Sequence, residues 1–338
     1  MNQSHDALPL VWMLFMAASI SLYVMLDGFT LGIGILFPFA RGASERDRMM
    51  ASVSPVWDGN QTWLVSGGMA LFAAFPAAYH LLLNALYIPV LVMVIALVFR
   101  GVAFEFRVRD NWRWNAAFIG GSTAAALCQG LILGTYVLGF EYDGKTLVTR
   151  PLDFISPFSC VVAASLVLDY ALLGACWLAW KSEGELRAWA LAQARRLLLP
   201  VAAGVGGICI WMPLQVPAIW ERWFSWPNMI FLSPVPIWST VLLAILWRLL
   251  TRKNLTADVL PFLCCIGLYL LALTGLAVSL WPYVVPRALT FWDVAAPEES
   301  LLFTMVGVFL ITPVILVYTA HAYWVFRGKV ADDAGYHH

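Results

Sequence analysis

Residues 8–37 read LPLVWMLFMAASISLYVMLDGFTLGIGILF, a run in which Asp27 is the only charged side chain. An α-helix rises about 1.5 Å per residue, so about twenty apolar residues cross the roughly 30 Å hydrocarbon core of a bilayer. A run of this length and apolarity is typical of a transmembrane helix. The stretch therefore predicts a membrane protein whose first helix holds an acidic group inside the bilayer.

The rest of the chain repeats this pattern and predicts about nine transmembrane helices. The apolar runs lie near 8–37, 58–77, 80–100, 115–138, 155–180, 197–215, 233–250, 258–281 and 301–326. Only Pro76 separates the second run from the third, and the seventh run is short. We therefore expect an all-α polytopic membrane protein that forms a single integral membrane domain over residues 1–338.

The composition agrees with this fold class and excludes several classes of function. Hydrophobic residues make up 62% of the 338 residues and charged residues 12%, against about 45–50% and about 25% in soluble domains. Lys and Arg together number 20, as do Asp and Glu. The scarcity of charge excludes an ordinary soluble enzyme and a disordered protein. The lack of a basic excess excludes a nucleic-acid binder.

The distribution of basic residues predicts the orientation of the helices. With nine spans, sixteen of the twenty Lys and Arg residues fall in the odd-numbered loops and the C-terminal tail. The N-terminal tail and the even-numbered loops hold the other four. Loops rich in Lys and Arg face the cytoplasm in most membrane proteins. The split predicts an N-terminus outside the cytoplasm and a C-terminus inside it.

The acid of the first run lies in the segment LDGFTLG, residues 26–32. Asp27 stands about 15 Å above the cytoplasmic end of its helix, and no cation nearby in the sequence can neutralise it. Gly28 and Gly32 form a face of small residues that lets another helix approach close to Asp27. Two interpretations stay open. Asp27 either locks helix packing through a hydrogen bond or belongs to a proton or ion path.

A second acid opens the second run, in the segment WDGNQTW at 57–63. Asp58 and Gln61 have the spacing of a capping box, and a carboxylate suits the positive end of a helix dipole. In the predicted topology Asp58 stands at the cytoplasmic mouth, with Asp27 deeper in the membrane. Asp58 either only caps its helix or also passes protons to Asp27, so that the two acids form a ladder.

Two further acids are weaker candidates for a functional role. Asp169 lies in the middle of the fifth run, where a packing role or an interhelical hydrogen bond is favoured over a functional one. Glu105 belongs to the segment 100–113, which mixes arginines with acids and is predicted to be a solvated cytoplasmic loop.

Haem and metal ligands are scarce in the predicted spans. Haem requires axial His, Met or Cys ligands, and His321 is the only histidine predicted to lie within the membrane, since His80 stands at the first residue of the third run. A single histidine does not form a pair on facing helices. The six cysteines show no metal-binding or redox spacing. We therefore expect this chain to bind no haem and no metal ion.

Several motifs together resemble subunit II of the cytochrome bd quinol oxidases. They are DGF at 27–29 with Gly32 and Gly34, PVWDGNQTW at 55–63, ALFAAFP at 70–76, FR at 99–100, GA at 174–175 with EGEL at 183–186, PYVVP at 282–286, LTFWD at 289–293 and PVILVYT at 313–319. The resemblance runs from the first span to the last, and WDGN with FAAFP is its most specific part. The region of about 197–260 is poorly matched and shorter than in the longer members, which points to the compact, cyanide-insensitive branch.

The resemblance implies an architecture, an activity and a partner. Members are built as two four-helix bundles plus a peripheral helix, which here correspond to 8–138, 155–281 and 301–326. They lie in the bacterial cytoplasmic (inner) membrane as multi-pass subunits of a terminal oxidase of the aerobic respiratory chain, which oxidises quinol and reduces dioxygen to water. The haems b and d belong to the larger subunit I, so this chain alone is not expected to be catalytic. Small accessory subunits and a structural ubiquinone occur in some complexes.

The resemblance also implies a cytoplasmic proton-uptake path in this subunit. By motif match Asp58 and Asp27 carry the protons. The supporting positions are Trp57, Asn60, Gln61, Thr30 and Gly28. Some members have a second acid three residues after the first, where this sequence has Thr30, whose hydroxyl could hold a water molecule instead.

Two other functions remain open at this point. The chain could be a secondary transporter that uses Asp27 and Asp169 as coupling sites. It could also be a purely structural subunit that stabilises a haem-bearing partner and has no chemistry of its own.

Overall fold

The computed structural model describes residues 3–107, 111–148, 150–252 and 258–330. Its helices are α1 (Gln3–Leu36), α2 (Ala43–Ala51), α3 (Trp57–Ala74), α4 (Pro76–Phe106), α5 (Trp112–Leu138), α6 (Pro157–Lys181), α7 (Gly184–Gln215), α8 (Pro217–Phe224), α9 (Asn228–Leu232), α10 (Pro234–Thr251), α11 (Leu260–Leu280) and α12 (Glu298–Val325). Two short antiparallel hairpins pair β1 (Glu141–Tyr142) with β2 (Leu147–Val148), and β3 (Tyr283–Val285) with β4 (Leu289–Thr290). The predicted all-α membrane fold is confirmed.

Eight segments within the described ranges are long and apolar enough to cross a membrane. They are Ala7–Phe39, Pro76–Phe106, Trp112–Leu138, Pro157–Lys181, Gly184–Gln215, Asn228–Thr251, Leu260–Leu280 and Glu298–Val325. The remaining predicted span, 58–77, forms α3, which does not reach the same apolarity. Its first six residues, WDGNQT, are mostly polar.

Helix α3 nevertheless runs from one face of the helix layer to the other. Its first residue, Trp57, stacks on Phe104 at the C-terminal end of α4, with the ring centroids 4.8 Å apart. Its last residue, Ala74, is followed almost at once by Pro76, where α4 begins. Because α3 starts beside the end of α4 and finishes at its start, α3 crosses the layer antiparallel to α4.

The first turns of α7 depart from the sequence-based expectation. The predicted span began near residue 197, but the helix begins at Gly184 and runs without interruption to Gln215. The segment GELRAWALAQARR, residues 184–196, carries four charged side chains but is made mostly of strong helix formers. Hydropathy detects the part of a helix that lies in lipid, so it missed this charged extension.

Close packing of α1 against α6 fixes the centre of the fold. A Cβ atom on Gly32 would lie 1.8 Å from the carbonyl oxygen of Tyr170, and one on Gly174 would lie 2.7 Å from the carbonyl carbon of Gly32. A Cβ atom on Gly28 would lie 2.7 Å from the Tyr170 ring. The predicted small-residue face is therefore confirmed, and the helix that approaches Asp27 along it is α6.

Helix α1 packs on both halves of the chain. It contacts α3 and α5 in the first half and α6 in the second half, while α5 also contacts α6. The helices α6, α7, α10 and α11 pack on one another in sequence. The division into bundles 8–138 and 155–281 with a peripheral helix 301–326 stays a prediction.

Candidate functional site

Asp27 forms an ion pair deep inside the helix layer. Nη1 of Arg100, on α4, donates to Oδ1 of Asp27 at 2.9 Å, and both side chains are fully buried. The two residues are 73 positions apart in the chain. The sequence therefore gave no sign of the cation that neutralises this acid.

The segment 100–113 is not the solvated loop that the sequence predicted. Arg100 lies inside α4, and Arg107 at the end of this helix is buried and pairs with Asp47 at 2.7 Å. Glu105 and Arg113 fit the expectation, since both are exposed. Residues 108–110 of this segment lie outside the described residues. Arg100 and Arg107 face inward because acids of α1 and α2 compensate their charge.

The buried ion pair leaves polar atoms without hydrogen bonds. Nε and Nη2 of Arg100 and Oδ2 of Asp27 are buried and have no hydrogen-bond partner among the described residues. An unpaired buried polar atom costs about 1–3 kcal/mol, so such atoms normally bind protein groups or ordered water. The site therefore has hydrogen-bonding capacity beside the Asp27 carboxylate that the described protein groups do not use.

Asn60 ties three helices together next to this ion pair. The side chain is fully buried, and its Nδ2 donates to the carbonyl of Leu26 at 2.8 Å and to Oγ1 of Thr30 at 3.5 Å. The hydroxyl of Tyr323, on α12, donates to Oδ1 of Asn60 at 2.9 Å. Asn60 thus joins α3 and α12 to the turn of α1 that carries Asp27.

Asp58 is exposed in the first turn of α3, two residues before Asn60. The predicted capping box is wrong, because α3 begins at Trp57 after Val56, whose side chain makes no capping bond. Nε2 of Gln61 is buried and lacks a hydrogen-bond partner in the described chain. The Asp58 carboxylate still lies in the first helical turn, where the helix dipole favours a negative charge.

The predicted proton-path residues meet in one corner of the fold. Asp58 is exposed at the start of α3, and Asn60 reaches from the same turn to Leu26, next to Asp27. Asp27 lies nine residues before Leu36, the end of α1, which places it about 14 Å from that end. We call this group of residues, Asp58, Asn60, Thr30, Asp27 and Arg100, the acidic corner.

A second hydrogen-bonded group beside Asp27 was missed from the sequence. Tyr170 on α6 donates its hydroxyl to Oε1 of Gln129 on α5 at 2.7 Å. Nε2 of Gln129 donates to the hydroxyl oxygen of Tyr23 on α1 at 2.7 Å. The signal that could have found it is Gln129 itself, a lone amide in the middle of an apolar run.

Asp169 stands apart from the acidic corner. It is half-buried in the middle of α6, and the Tyr269 hydroxyl on α11 approaches its carboxyl. That hydroxyl is buried and has no partner that meets hydrogen-bond geometry in the described residues. The interhelical hydrogen bond expected for Asp169 therefore stays a prediction.

His321, the one histidine predicted to lie within the membrane, lies exposed on α12, with its ring centroid 6.0 Å from that of Trp324. Across the ranges that the structure describes, no three His, Cys, Asp or Glu side chains are grouped so that they could hold a metal ion. The chemistry that the described residues bring together is thus that of carboxylates, arginines and hydroxyls.

Comparison with known proteins extends the observations to the whole chain. Residues 8–326 match the family described as cytochrome bd terminal oxidase subunit II. The chain is similar to cytochrome bd-I ubiquinol oxidase subunit 2 of Escherichia coli K12, with 27% identity over 97% of each chain. It is also similar to cytochrome bd ubiquinol oxidase subunit 2 of Bacillus subtilis, with 28% identity over 59% of this chain and 60% of that one.

The fold also matches a solved structure. The bd oxidase from Geobacillus thermodenitrificans contains a chain that superposes with a TM-score of 0.74 at 18% identity, covering 95% of this chain and 99% of the other. At that identity the match shows the fold alone. Because the family match covers nearly all of the sequence, the chain belongs to the cytochrome bd terminal oxidase subunit II family and is a subunit of a terminal oxidase.

Proposed function

We propose that this chain serves a quinol-oxidising, dioxygen-reducing complex by guiding protons from the cytoplasm toward its partner, with Asp58 collecting them and Asp27 receiving them. The observation that supports this role is the acidic corner, where Asn60 links the turn of the exposed Asp58 to the turn of the buried Asp27. Reduction of dioxygen to water consumes protons. Acids and polar groups along a route lower the cost of moving a proton into a region of low dielectric constant.

The ion pair determines how Asp27 takes part. A proton that binds to Asp27 removes the negative charge that compensates Arg100, and both side chains are fully buried. The unpaired atoms of the two side chains provide binding capacity for the water molecules that bring the proton. Asp27 therefore exchanges its proton through a hydrated site and not by direct contact with the exposed carboxylate.

The haems are proposed to lie in the larger subunit I. His321 is exposed near the end of α12, whereas His80 lies in the first turns of α4 on the opposite face, so these two histidines do not fit a haem held between them. Subunit I is the proposed partner in a heterodimer. Small accessory subunits, a structural ubiquinone and membership of the compact branch stay predictions.

The proposed orientation places the N-terminus outside and the C-terminus in the cytoplasm of a bacterium, in its inner membrane. Ion pairs cluster on the face where α4 and α12 end, including Arg107 with Asp47 and Lys329 with Asp258. Trp12, near the start of α1, instead donates to the carbonyl of Leu301 at the start of α12. These contacts place the start of α1 and the end of α12 on opposite faces, and we propose that the face with Arg107 and Lys329 is the cytoplasmic one.

The test replaces each acid by its amide in the purified complex. Asp58→Asn and Asp27→Asn remove a proton acceptor while they keep the size of the side chain. We expect both variants to lower oxygen consumption and proton uptake at least tenfold, while the visible spectrum stays that of the bd type. Glu185→Gln is the matched control, because Glu185 is an exposed acid beside Arg41 on the same face.

A purely structural subunit is the second candidate, and the Arg100–Asp27 ion pair favours it, since such a pair also joins α1 to α4. Normal oxygen consumption and proton uptake in Asp58→Asn would exclude the proton path and support the structural role.

A further inference from the structure

Two buried tyrosines and a half-buried glutamine form a row that ends at Asp27. The row consists of Tyr170, Gln129 and Tyr23, joined by two hydrogen bonds of 2.7 Å. Tyr23 lies four residues before Asp27 on α1, so both side chains project from the same helix face. The Tyr23 hydroxyl lies beside the Asp27 carboxyl but does not meet hydrogen-bond geometry with it in the described chain. The row therefore connects α6 and α5 to the acid that we propose as proton acceptor.

The direction of the hydrogen bonds in this row follows from the groups at its ends. Gln129 accepts from Tyr170 through its carbonyl and donates to the oxygen of Tyr23 through its amide nitrogen. The proton of the Tyr23 hydroxyl is then free for another acceptor. Oδ2 of Asp27 is buried and has no hydrogen-bond partner in the described chain. A carboxylate is also a stronger acceptor than an amide oxygen.

Flipping the Gln129 side-chain amide by about 180° would leave fewer polar groups with hydrogen-bond partners. Tyr23 would then donate to the Gln129 carbonyl, and Oδ2 of Asp27 would lose its nearby donor. The Tyr170 hydroxyl would accept from the amide and need a new acceptor for its own proton. Tyr170 cannot move to find one, because its ring is fully buried against the Gly28 backbone. The observed orientation is thus the one that serves both hydroxyls.

The row does not itself conduct protons. A hydroxyl can accept and donate one proton in turn, but the amide of Gln129 has separate donor and acceptor atoms. A proton arriving at its carbonyl cannot leave from its nitrogen without passing through an unstable imidic acid. The contribution of the row is therefore one of position.

We propose that Gln129 and Tyr170 hold the Tyr23 hydroxyl as a hydrogen-bond donor to Asp27, so that these three side chains are positioning residues for proton uptake. This inference rests on the proposed function of Asp27. The Tyr23 hydroxyl, on α1 itself, stabilises the carboxylate form of Asp27, and so does Arg100 on α4. Together they set the balance between the ionised and the protonated acid.

The test follows the protonation of Asp27 itself in the purified complex. Aspartate labelled with ¹³C lets infrared spectroscopy distinguish carboxylate from carboxylic acid, and Asp27→Asn identifies the signal. In Tyr23→Phe we expect the pH midpoint of this signal to rise by about one unit, because the carboxylate loses one charge-assisted hydrogen bond. Gln129→Leu should raise it by less, and Tyr170→Phe by least, since each acts through its neighbour.

Tyr136→Phe removes a buried hydroxyl that bonds the Val284 carbonyl at 2.6 Å, far along α5 from Gln129, and should leave the midpoint unchanged. An unchanged midpoint in Tyr23→Phe would overturn the proposal. If Tyr23→Phe does not assemble, Tyr170→Phe is used instead, because it leaves the Tyr23 hydroxyl in place. A raised midpoint in Tyr170→Phe would support the proposal, and an unchanged midpoint would overturn it. If the midpoint shifts in Tyr23→Phe but proton uptake is normal in Asp27→Asn, the positioning role of the row is supported and the proton path is refuted.

Discussion

Replacing Arg100 by Met should destabilise the complex far more than replacing Arg100 and Asp27 together. At 2.9 Å and an effective dielectric constant of about 20, the Coulomb attraction of the pair is about 6 kcal/mol. The desolvation of two fully buried ions offsets much of this attraction. Removal of the cation alone leaves a buried carboxylate without its partner, which costs about 3–5 kcal/mol. The double variant Arg100→Met with Asp27→Asn holds no buried charge and should recover most of that loss.

The measurement is the thermal and SDS-induced unfolding of the purified complex, followed by its haem absorbance. Arg107→Met is the comparison, because its acid, Asp47, is 27% exposed and water can compensate the lost partner. We expect Arg107→Met to cost clearly less than Arg100→Met. Equal stability of the single Arg100 variant and the double variant would refute the reasoning, since the two charges would then not depend on each other.

Three further perturbations test the packing, the hydrogen bonds and the charged face. Gly32→Ala places a methyl group 1.8 Å from the Tyr170 carbonyl oxygen, so α1 and α6 must separate, and we expect a loss of about 1–3 kcal/mol measured as lower thermal stability. Asn60→Leu leaves buried polar groups unpaired and should cost about 1–3 kcal/mol in the same assay. Partial burial raises the pKa of Asp258, but hydrogen bonds led by that from Lys329 outweigh it and hold the pKa below its usual value. Its stabilisation is therefore present at neutral pH and lost as the pH falls below about 4, so Asp258→Asn should flatten the acid side of a plot of melting temperature against pH.

The sequence was sufficient to locate the acid and the surface on which another helix packs. Burying a lone carboxylate in an apolar run costs free energy, so the sequence identifies Asp27 as a candidate site residue even without its partner. Gly28 and Gly32, one turn apart, predicted a close helix contact, and the structure confirms it. The sequence of α1 does not show which helix makes this contact. Small residues permit the approach of any helix that also has a small residue at the contact, and α6 has Gly174 there.

The partner of Asp27 was missed for a physical reason. Arg100 follows a long apolar run, and an arginine in that place normally marks the membrane interface. Only its three-dimensional neighbours show that α4 continues to Phe106 and that the guanidinium turns inward. The error at Asp58 is similar in kind. The spacing to Gln61 shows which residues are able to form a capping box, but the start of the helix is set by the preceding turn.

The two arginines of α4 also restrict what Asp27 can do. Arg100 and Arg107 are seven residues apart, two turns along one helix face. Arg100 pairs with Asp27, and Arg107 pairs with Asp47. A proton on Asp27 gives this buried region a net positive charge, and the low dielectric constant makes that charge expensive. Protonation of Asp27 therefore leaves Arg100 without its counter-ion. On the proposed path, the resulting positive charge favours transfer of the proton onward to the partner subunit, where the reduction of dioxygen consumes it.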